Sequence, residues 1–286
     1  METIGILGPR GTHSEEAALW LKKFLRADWH LEICADIYEV LNAVKTRQLD
    51  GGIVPVENSL EGSINITLDT LARSDTLTVT RELVWSVRNF LMTRPNTDVK
   101  TISKIFSHAQ PLSQCRKYLQ KNFPQAETVA TSSTARAAEI VKDSDENFAA
   151  VCTERAGRLN GLSVAAANIQ DNKNNSTRFF EIRYRPLDAA PITKFDGDKV
   201  LIICQIDGSR AGSLCEVLEE FSKRGVNMTR IESRPARTIL GAYIFFFDLE
   251  TDSGDIVMQE AIQAVYDKSI WLKNLGVFSV IVADAK

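Results

Sequence analysis

The stretch TIGILGPRGTHSEEAALWLKKFL, residues 3–25, decides the fold class because it predicts a strand, a turn and a helix in immediate succession. Residues 3–8 form a short apolar run, and a helix is predicted from His13 to Arg26. Thr12 and Glu15 have the spacing of a capping box at the start of that helix. Its apolar face is expected to contain Ala17, Ala18, Leu21, Phe24 and Leu25.

The same order of strand and helix recurs along the first two thirds of the chain. Helices are predicted at residues 36–48 and 64–73, and residues 80–93 are rich in strand-forming residues. KIFS is a predicted strand before a single helix, QPLSQCRKYLQKNF, with Pro111 at its first position. TVA before TSSTARAAEIV, and FAAVC before TERAGRL, repeat the unit. This alternation indicates an α/β architecture with largely parallel strands.

The pattern changes after residue 185, where prolines, a glycine and scattered charges predict a linker. We therefore expect a large unit over residues 1–185, a linker over 186–198 and a small unit over 199–286. The small unit has the order βαββαβ, which is typical of a ferredoxin-like fold. One face of its sheet is expected to stay free for self-association, with apolar alternate positions supplied by Ile202, Cys204, Ile206, Ile244 and Phe246.

Composition excludes several classes of protein. The chain has 286 residues, 44% hydrophobic and 25% charged, which is ordinary for a globular protein of two domains. No apolar run approaches a membrane span, and a net charge of −3 argues against a nucleic-acid partner. The amino terminus does not resemble a signal peptide, which favours a cytoplasmic protein. Free, buried thiols are expected for Cys34, Cys115, Cys152, Cys204 and Cys215.

Polar stretches follow several predicted strands, where ligands of open α/β sheets bind. Glu57, Asn58 and Ser59 come directly after the strand GGIVPV, although they could equally cap the next helix. NNST, residues 174–177, stands at the entrance of the strand RFFEIRY and could be a simple turn.

Two further polar stretches lie between these. In FSHAQPLSQC, residues 106–115, Ser107 and Gln114 are hydrogen-bonding candidates. His108 is a tempting general acid, but a lone histidine is more often structural. In TSSTARAA, residues 131–138, Ser132 and Ser133 could face a ligand or simply cap a helix.

Taken in order, GPRGTHSEEAA, PVENSLEGS, SHAQPLSQC, NNSTRFF and GVNMTRIESRPAR resemble prephenate dehydratase followed by an ACT-type regulatory domain. The resemblance spans almost the whole chain and is closest to the monofunctional form. It implies a catalytic domain with two lobes of the periplasmic-binding-protein type, a cleft between them, and a ferredoxin-like ACT domain. No metal or organic cofactor is implied.

The resemblance also implies roles for individual residues. The catalytic residues are expected to be Thr177, Asn58, Ser107 and Gln114. The substrate-binding residues are expected to be Glu57, Ser59, Ser132, Ser133, Arg178 and Phe179. Side chains alternate across a strand, so Arg178 could instead form a structural ion pair. The effector-binding residues are expected to be Gly212, Ser213, Leu214, Asn227, Met228, Glu232 and Ser233.

The implied activity is the conversion of prephenate to phenylpyruvate with loss of carbon dioxide and water, in L-phenylalanine biosynthesis. L-Phenylalanine is the expected feedback inhibitor, bound between the ACT domains of a homodimer or homotetramer. Two alternatives stay open at this point. One is an arogenate dehydratase, whose substrate carries an amino group in place of the side-chain keto oxygen; the other is a non-catalytic, amino-acid-sensing binding protein.

Overall fold

The computed structural model describes residues 1–238, 241–252 and 254–283. It contains two α/β lobes and a C-terminal α+β unit. The first lobe begins with β1 (Glu2–Leu7), α1 (His13–Phe24), β2 (Trp29–Cys34), α2 (Ile37–Lys45), β3 (Gly51–Asn58), β4 (Gly62–Ser63), α3 (Asn65–Arg73) and β5 (Leu77–Ser86). The second lobe contains β6 (Phe90–Thr93), β7 (Lys104–Ser107), α4 (Ala109–Gln114), α5 (Arg116–Asn122), β8 (Glu127–Ala130), α6 (Thr134–Asp143), β9 (Phe148–Cys152), α7 (Glu154–Leu159) and β10 (Ser163–Ala166).

The chain then returns to the first lobe and continues into the C-terminal unit. The remaining elements are β11 (Ser176–Tyr184), β12 (Lys199–Gln205), α8 (Ser213–Lys223), β13 (Met228–Pro235), β14 (Tyr243–Glu250), α9 (Asp255–Tyr266) and β15 (Trp271–Ala283). Two crossings between lobes, before β6 and after β10, make this the two-lobed periplasmic-binding-protein type of fold. The unit after residue 198 has the expected βαββαβ order.

The helix starts differ locally from the sequence expectations. Thr12 stands at the N-cap of α1, but its hydroxyl donates to the carbonyl of Leu7 (3.4 Å), and the carboxylate of Glu15 accepts from the backbone N–H of Gly11 (2.6 Å). The predicted capping box is therefore wrong in detail. The single helix predicted after KIFS breaks at Cys115 into α4 and α5, and Pro111 is its third residue.

The second lobe has its own five-stranded sheet, in the order β10-β6-β9-β7-β8. Strands β7, β8 and β9 are parallel, β6 runs antiparallel to β9, and β10 runs antiparallel to β6. Apolar residues cover both faces of the sheet, one under α6 and α7 and the other under α4 and α5. Four of the five cysteines are buried free thiols as expected, whereas Cys215 is exposed.

The first lobe and the C-terminal unit share one ten-stranded sheet. Its order is β13-β14-β12-β15-β5-β11-β3-β1-β2, with β4 paired to β3. Strand β15 joins the two parts, because its first half pairs with β12 and its second half, from Ser279 to Ala283, runs parallel to β5. The change of partner occurs between Phe278 and Ser279. Just before it, Gly276 has a φ of +135°, and a Cβ there would lie 2.2 Å from the carbonyl oxygen of Val79.

The expectation of a free sheet face in the C-terminal unit is wrong. Ile202, Cys204 and Ile206 do lie under α8 and α9. Ile244 and Phe246, on the opposite face, are buried in one core with residues of α2, α3 and β11. The first lobe therefore covers the face that the sequence left for self-association, and the C-terminal unit is packed as part of the same body.

Candidate active site

The two lobes meet at the ends of their strands. At one side of this junction, the hydroxyl of Thr153 donates to the carbonyl of Gly11 (2.7 Å), and Arg155 forms two hydrogen bonds with Glu15 (2.7 and 3.0 Å). Gly11 has φ +84°, and a Cβ there would lie 2.8 Å from Cα of Ala156. A residue with a side chain would therefore push the lobes apart.

Asn58 and Thr177 lie opposite each other where β3 ends and β11 begins. Both are 8% exposed, and Nδ2 of Asn58 donates to Oγ1 of Thr177 (2.9 Å). The carbonyl oxygen of the Asn58 side chain accepts from the backbone N–H groups of Leu60 and Glu61 (3.0 and 3.2 Å), which fixes the orientation of the amide. Because the Thr177 oxygen is the acceptor, its own O–H proton stays available for another acceptor.

Asn175 extends this pair across the cleft. Its Oδ1 accepts from Nδ2 of Asn58 (2.9 Å), and its Nδ2 donates to Oε1 of Gln114 (3.1 Å) in the second lobe. Nε2 of Gln114 is buried and has no hydrogen-bond partner among the residues that the structure describes. The structure thus brings together three of the four predicted catalytic residues, and Asn175, which the sequence analysis had not singled out, connects them.

Ser107, the fourth predicted catalytic residue, has a different position. It is fully buried at the end of β7, and its hydroxyl donates to the carbonyl of Val151 on the neighbouring β9 (2.6 Å). His108 follows as the N-cap of α4, where Nδ1 accepts from the backbone N–H of Gln110 (3.4 Å). Both side chains are used here in the local structure of the second lobe.

Three of the predicted substrate-binding serines lie near strand ends. The hydroxyl of Ser59 accepts from the backbone N–H of Ser176 (3.0 Å), which ties the loop after β3 to β11. Ser133 caps α6 by accepting from the N–H of Arg136 (3.0 Å), and Ser132 beside it is exposed. The structure therefore places Ser59 beside the Asn58–Thr177 pair and gives Ser133 the role of a helix cap.

Arg178 lies on the other face of β11 from Thr177 and forms a buried ion cluster. Its guanidinium contacts Glu57 (2.7 Å), Glu82 (2.6 Å) and Asp248 of β14 (2.6 Å). Burial opposes its charge, but hydrogen bonds and charges from Glu82 and Asp248 raise its pKa well above the usual range. This geometry matches the ion-pair alternative for Arg178.

Phe179 returns to the face of Thr177, as alternation requires, but it is 1% exposed. Its ring packs in the core beneath α1, against a cluster that includes Ile6, Ala17 and Leu21. Phe179 is therefore a core residue of the first lobe, and its packing holds β11 in place from inside the lobe.

The predicted effector residues lie in two parts of the C-terminal unit, one at the start of α8 and the other in or just before β13. Ser213 follows Gly212, the N-cap of α8, and its hydroxyl donates to the carbonyl of Arg210 (2.9 Å). Glu232 of β13 instead accepts from the hydroxyl of Ser63 in the first lobe (2.9 Å). The remaining members are Leu214 on α8, Asn227, whose amide donates to Glu250 (2.7 Å), Met228 at the start of β13, and the exposed Ser233.

His13, in the quoted opening stretch, was not expected to belong to the site; its side chain is 20% exposed, but both ring nitrogens are buried. Burial lowers its pKa to about 4, although the neighbouring amide of Asn89 favours the protonated form. Glu16 lies 3.8 Å from Nδ1 of His13, and burial raises the pKa of that carboxyl. The imidazole is therefore neutral at pH 7.

This histidine is expected to make stability depend on pH. Its folded pKa of about 4 lies below the reference value of ~6.5, so its contribution is complete above pH ~6.5 and is lost as pH falls toward 4. The loss is expected to reach about 3 kcal/mol. Glu16 has a raised pKa, so its own contribution to stability changes with pH in the opposite direction. The effect of His13 is isolated by comparing wild type with His13→Asn in denaturant unfolding from pH 7 to pH 4.5.

The variant is expected to lose less stability than wild type over that range. His30→Gln is the matched control, because His30 is exposed and its ring lies 3.5 Å from the carboxylate of Glu32 on the surface. Parallel curves for wild type and His13→Asn would contradict the assignment of the pH dependence to His13.

The chain is similar to known proteins in sequence and in fold. The family model for prephenate dehydratase matches residues 4–186, and the model for the ACT domain matches residues 201–265. A prephenate dehydratase of Methanocaldococcus jannaschii is 33% identical over 279 residues, which cover 95% of this chain and 96% of that protein. A bifunctional chorismate mutase/prephenate dehydratase of Neisseria gonorrhoeae is 36% identical over 98% of this chain and 75% of that protein.

Among solved structures, prephenate dehydratase of Arthrobacter aurescens in complex with L-Phe is similar, with a TM-score of 0.85 and 32% identity. The alignment covers 97% of this chain and 90% of that one. No helix in the described part of the chain is long and apolar enough to cross a membrane. The same residues contain no group of three or more His, Cys, Asp or Glu placed to hold a metal ion.

Proposed function

The chain belongs to the prephenate dehydratase family, and from this premise we propose that the cleft between its lobes converts prephenate to phenylpyruvate, carbon dioxide and water. The observation that carries the proposal is the Asn58–Thr177 pair, in which a hydroxyl donor with an available proton lies at the start of β11. Asn175 and Gln114 continue the pair into the second lobe.

The reaction requires stabilisation at one atom of the substrate, the oxygen of the departing ring hydroxyl. The bond between the ring and its carboxylate breaks, its electrons enter the ring, and the ring hydroxyl leaves with the electrons of its own bond. Aromatisation supplies the driving force. A donor against the departing oxygen stabilises the negative charge that forms there, and this oxygen takes up a proton to become water.

A neutral site suits this chemistry. A cation bound to the ring carboxylate would stabilise the substrate more than the transition state and would slow the loss of carbon dioxide. In this structure Arg178, although next to Thr177 in the sequence, is turned away and engaged by carboxylates. The groups on the cleft side of β11 are a hydroxyl and amides. We propose that Thr177 donates to the leaving oxygen, either passing on a proton or acting through the hydrogen bond alone.

The activity is tested by incubating the protein with prephenate and measuring phenylpyruvate. Formation of phenylpyruvate with turnover supports the enzyme and excludes a protein that only binds amino acids. Parallel assays with arogenate measure the preference between the two substrates. Binding of prephenate without turnover would overturn the proposal.

We also propose feedback inhibition by L-phenylalanine in a cytoplasmic homo-oligomer. The support is the match of residues 201–265 to the ACT domain and the L-Phe bound to the relative from Arthrobacter aurescens. The start of α8, with Gly212, Ser213 and Leu214, and the positions Asn227 and Met228 are the proposed contacts. Sedimentation with and without L-phenylalanine tests the assembly, and inhibition assays test the effector.

The route for such inhibition is the ion cluster behind Thr177. Asp248 of the C-terminal unit contacts Arg178, which follows Thr177, and Arg230 contacts Glu57 (3.2 Å), which precedes Asn58. A shift of β13 or β14 therefore acts on the residues next to both catalytic partners. Coupling between sites is typically ~1–3 kcal/mol, a change of about 5–150-fold in affinity.

Asp248→Asn keeps the shape of the side chain and removes its charge. The substitution is expected to weaken inhibition by L-phenylalanine at least ~5-fold and to lower the turnover of the uninhibited enzyme by a smaller factor. Glu220→Gln is the matched control, since Glu220 is a buried carboxylate of the same unit that pairs with Arg224 and Lys268 instead. Inhibition curves for folded Asp248→Asn that overlay those of wild type would exclude this route.

A further inference from the structure

A second group of polar side chains lies between the lobes, beside the two crossing segments. Asn89, between β5 and β6, is completely buried. Its backbone N–H donates to Oε1 of Gln170 (3.1 Å) and its carbonyl accepts from Ile169 (3.0 Å), so its backbone is fixed by the other crossing segment. Its side-chain amide lies beside the ring of His13 on one side and Cys115 on the other.

These side chains carry polar atoms that are poorly hydrogen-bonded. Both ring nitrogens of His13 and both polar atoms of the Asn89 side chain are buried and make no hydrogen bond of good geometry with the described residues, although the Asn89 amide lies close enough to the His13 ring and the Cys115 thiol to act on the pKa of each. Nε2 of Gln114, next to Cys115 in the chain, is a fifth such atom. Buried polar groups are nearly always hydrogen-bonded, and an unsatisfied one destabilises the folded protein. Five such atoms, one of them on Gln114, whose Oε1 accepts from Asn175 of the Asn58–Thr177 network, indicate a place for a polar ligand.

We propose that His13 and Asn89 bind the three-carbon side chain of the substrate and favour its keto oxygen over an amino group. This inference rests on the proposed dehydratase function. A neutral imidazole and an amide both offer N–H donors, and a keto oxygen accepts two such bonds. An ammonium group carries a positive charge, which a neutral imidazole and an amide do not compensate and a carboxylate would. Glu16, the carboxylate beside His13, already accepts from the backbone N–H of Arg155 (3.2 Å).

The proposal assigns these two residues to binding and specificity and leaves the departure of the ring hydroxyl to Thr177. Loss of one donor is therefore expected to raise KM and to change kcat little, because the side chain keeps its contacts from substrate to transition state. His13→Phe is expected to raise KM for prephenate about 10-fold, with kcat within about 3-fold of wild type. Asn89→Asp supplies a carboxylate of the same shape and is expected to raise the ratio of kcat/KM for arogenate to that for prephenate at least ~10-fold.

The experiment measures kcat and KM for both substrates in wild type, His13→Phe, Asn89→Asp and the control His30→Gln, whose histidine is exposed on β2. If His13→Phe does not fold, His13→Gln and Asn89→Leu decide the question through the same KM measurement. Folded variants with wild-type KM and an unchanged substrate ratio overturn the proposal. Wild type that forms no phenylpyruvate refutes the dehydratase function itself, so the two failures are distinguishable.

Discussion

Thr177→Val is expected to lower kcat by about 10²–10³-fold and to leave KM nearly unchanged, as for removal of one donor that acts in the transition state. Valine has nearly the same shape, so the nearly buried position at the start of β11 stays filled. Asn58 keeps its hydrogen bond to Asn175 (2.9 Å) and its orientation by the loop that follows. The measurement is steady-state kinetics of phenylpyruvate formation, with circular dichroism to confirm the fold.

Thr177→Ser is the matched control. Serine restores the hydroxyl and is expected to recover most of the turnover, whereas a variant that failed through packing would not be rescued by a smaller side chain. Near-normal kcat in folded Thr177→Val would remove Thr177 from the mechanism. The remaining candidates would then be the amides of Asn58 and Gln114.

Arg178→Met is expected to destabilise the protein by about 3–5 kcal/mol, the range for breaking a buried ion pair from one side. The variant leaves three carboxylates, Glu57, Glu82 and Asp248, without the cation that they share. Arg230 and Lys199 compensate in part, since they contact Glu57 (3.2 Å) and Glu82 (3.6 Å). Denaturant unfolding at pH 7 gives the size of the effect.

The cause of the lost stability in Arg178→Met can be identified from how that loss depends on pH. Unpaired buried carboxylates take up protons more readily, so the deficit of Arg178→Met should shrink as pH falls from 7 to 5. Arg158→Met is the control, because Arg158 pairs with Glu154 on the surface and such pairs contribute at most about 1 kcal/mol. A deficit that stays constant over this range would point to lost packing around Arg178.

Local signals in the sequence predicted the elements but missed their distant partners. The period of apolar residues placed α1, and the order of elements indicated two kinds of unit. The length of β15 and its pairing with β5 were not predictable, because residues 79 and 276 are remote in sequence and no local pattern records that contact. The break of the helix at Cys115 also depends on tertiary contacts, since Asp171 accepts from the N–H groups of Lys117 and Tyr118 at the start of α5.

The candidate site was predictable where polar residues follow strands and where motifs are distinctive. Asn58, Thr177 and Gln114 come from such stretches, and the structure joins them through Asn175. His13 was not identified because a histidine at the start of a helix gives no sign of its burial. The partners of Arg178 were missed because Asp248 lies 70 residues away in another unit.

Because β15 is shared between two units, the sheet of the first lobe can be completed only after the end of the chain has been synthesised. A nascent chain that has emerged only to about residue 190 contains β5 and β11, but the neighbour of β5 on its other side, residues 279–283, is made almost a hundred residues later. During that interval β5 has an unpaired edge, and Phe180 lacks Phe278, its ring partner at 5.6 Å. Protein synthesis adds about 5–20 residues per second, so the edge of β5 stays exposed for several seconds or more. We expect a chaperone to bind the nascent chain most strongly during this period.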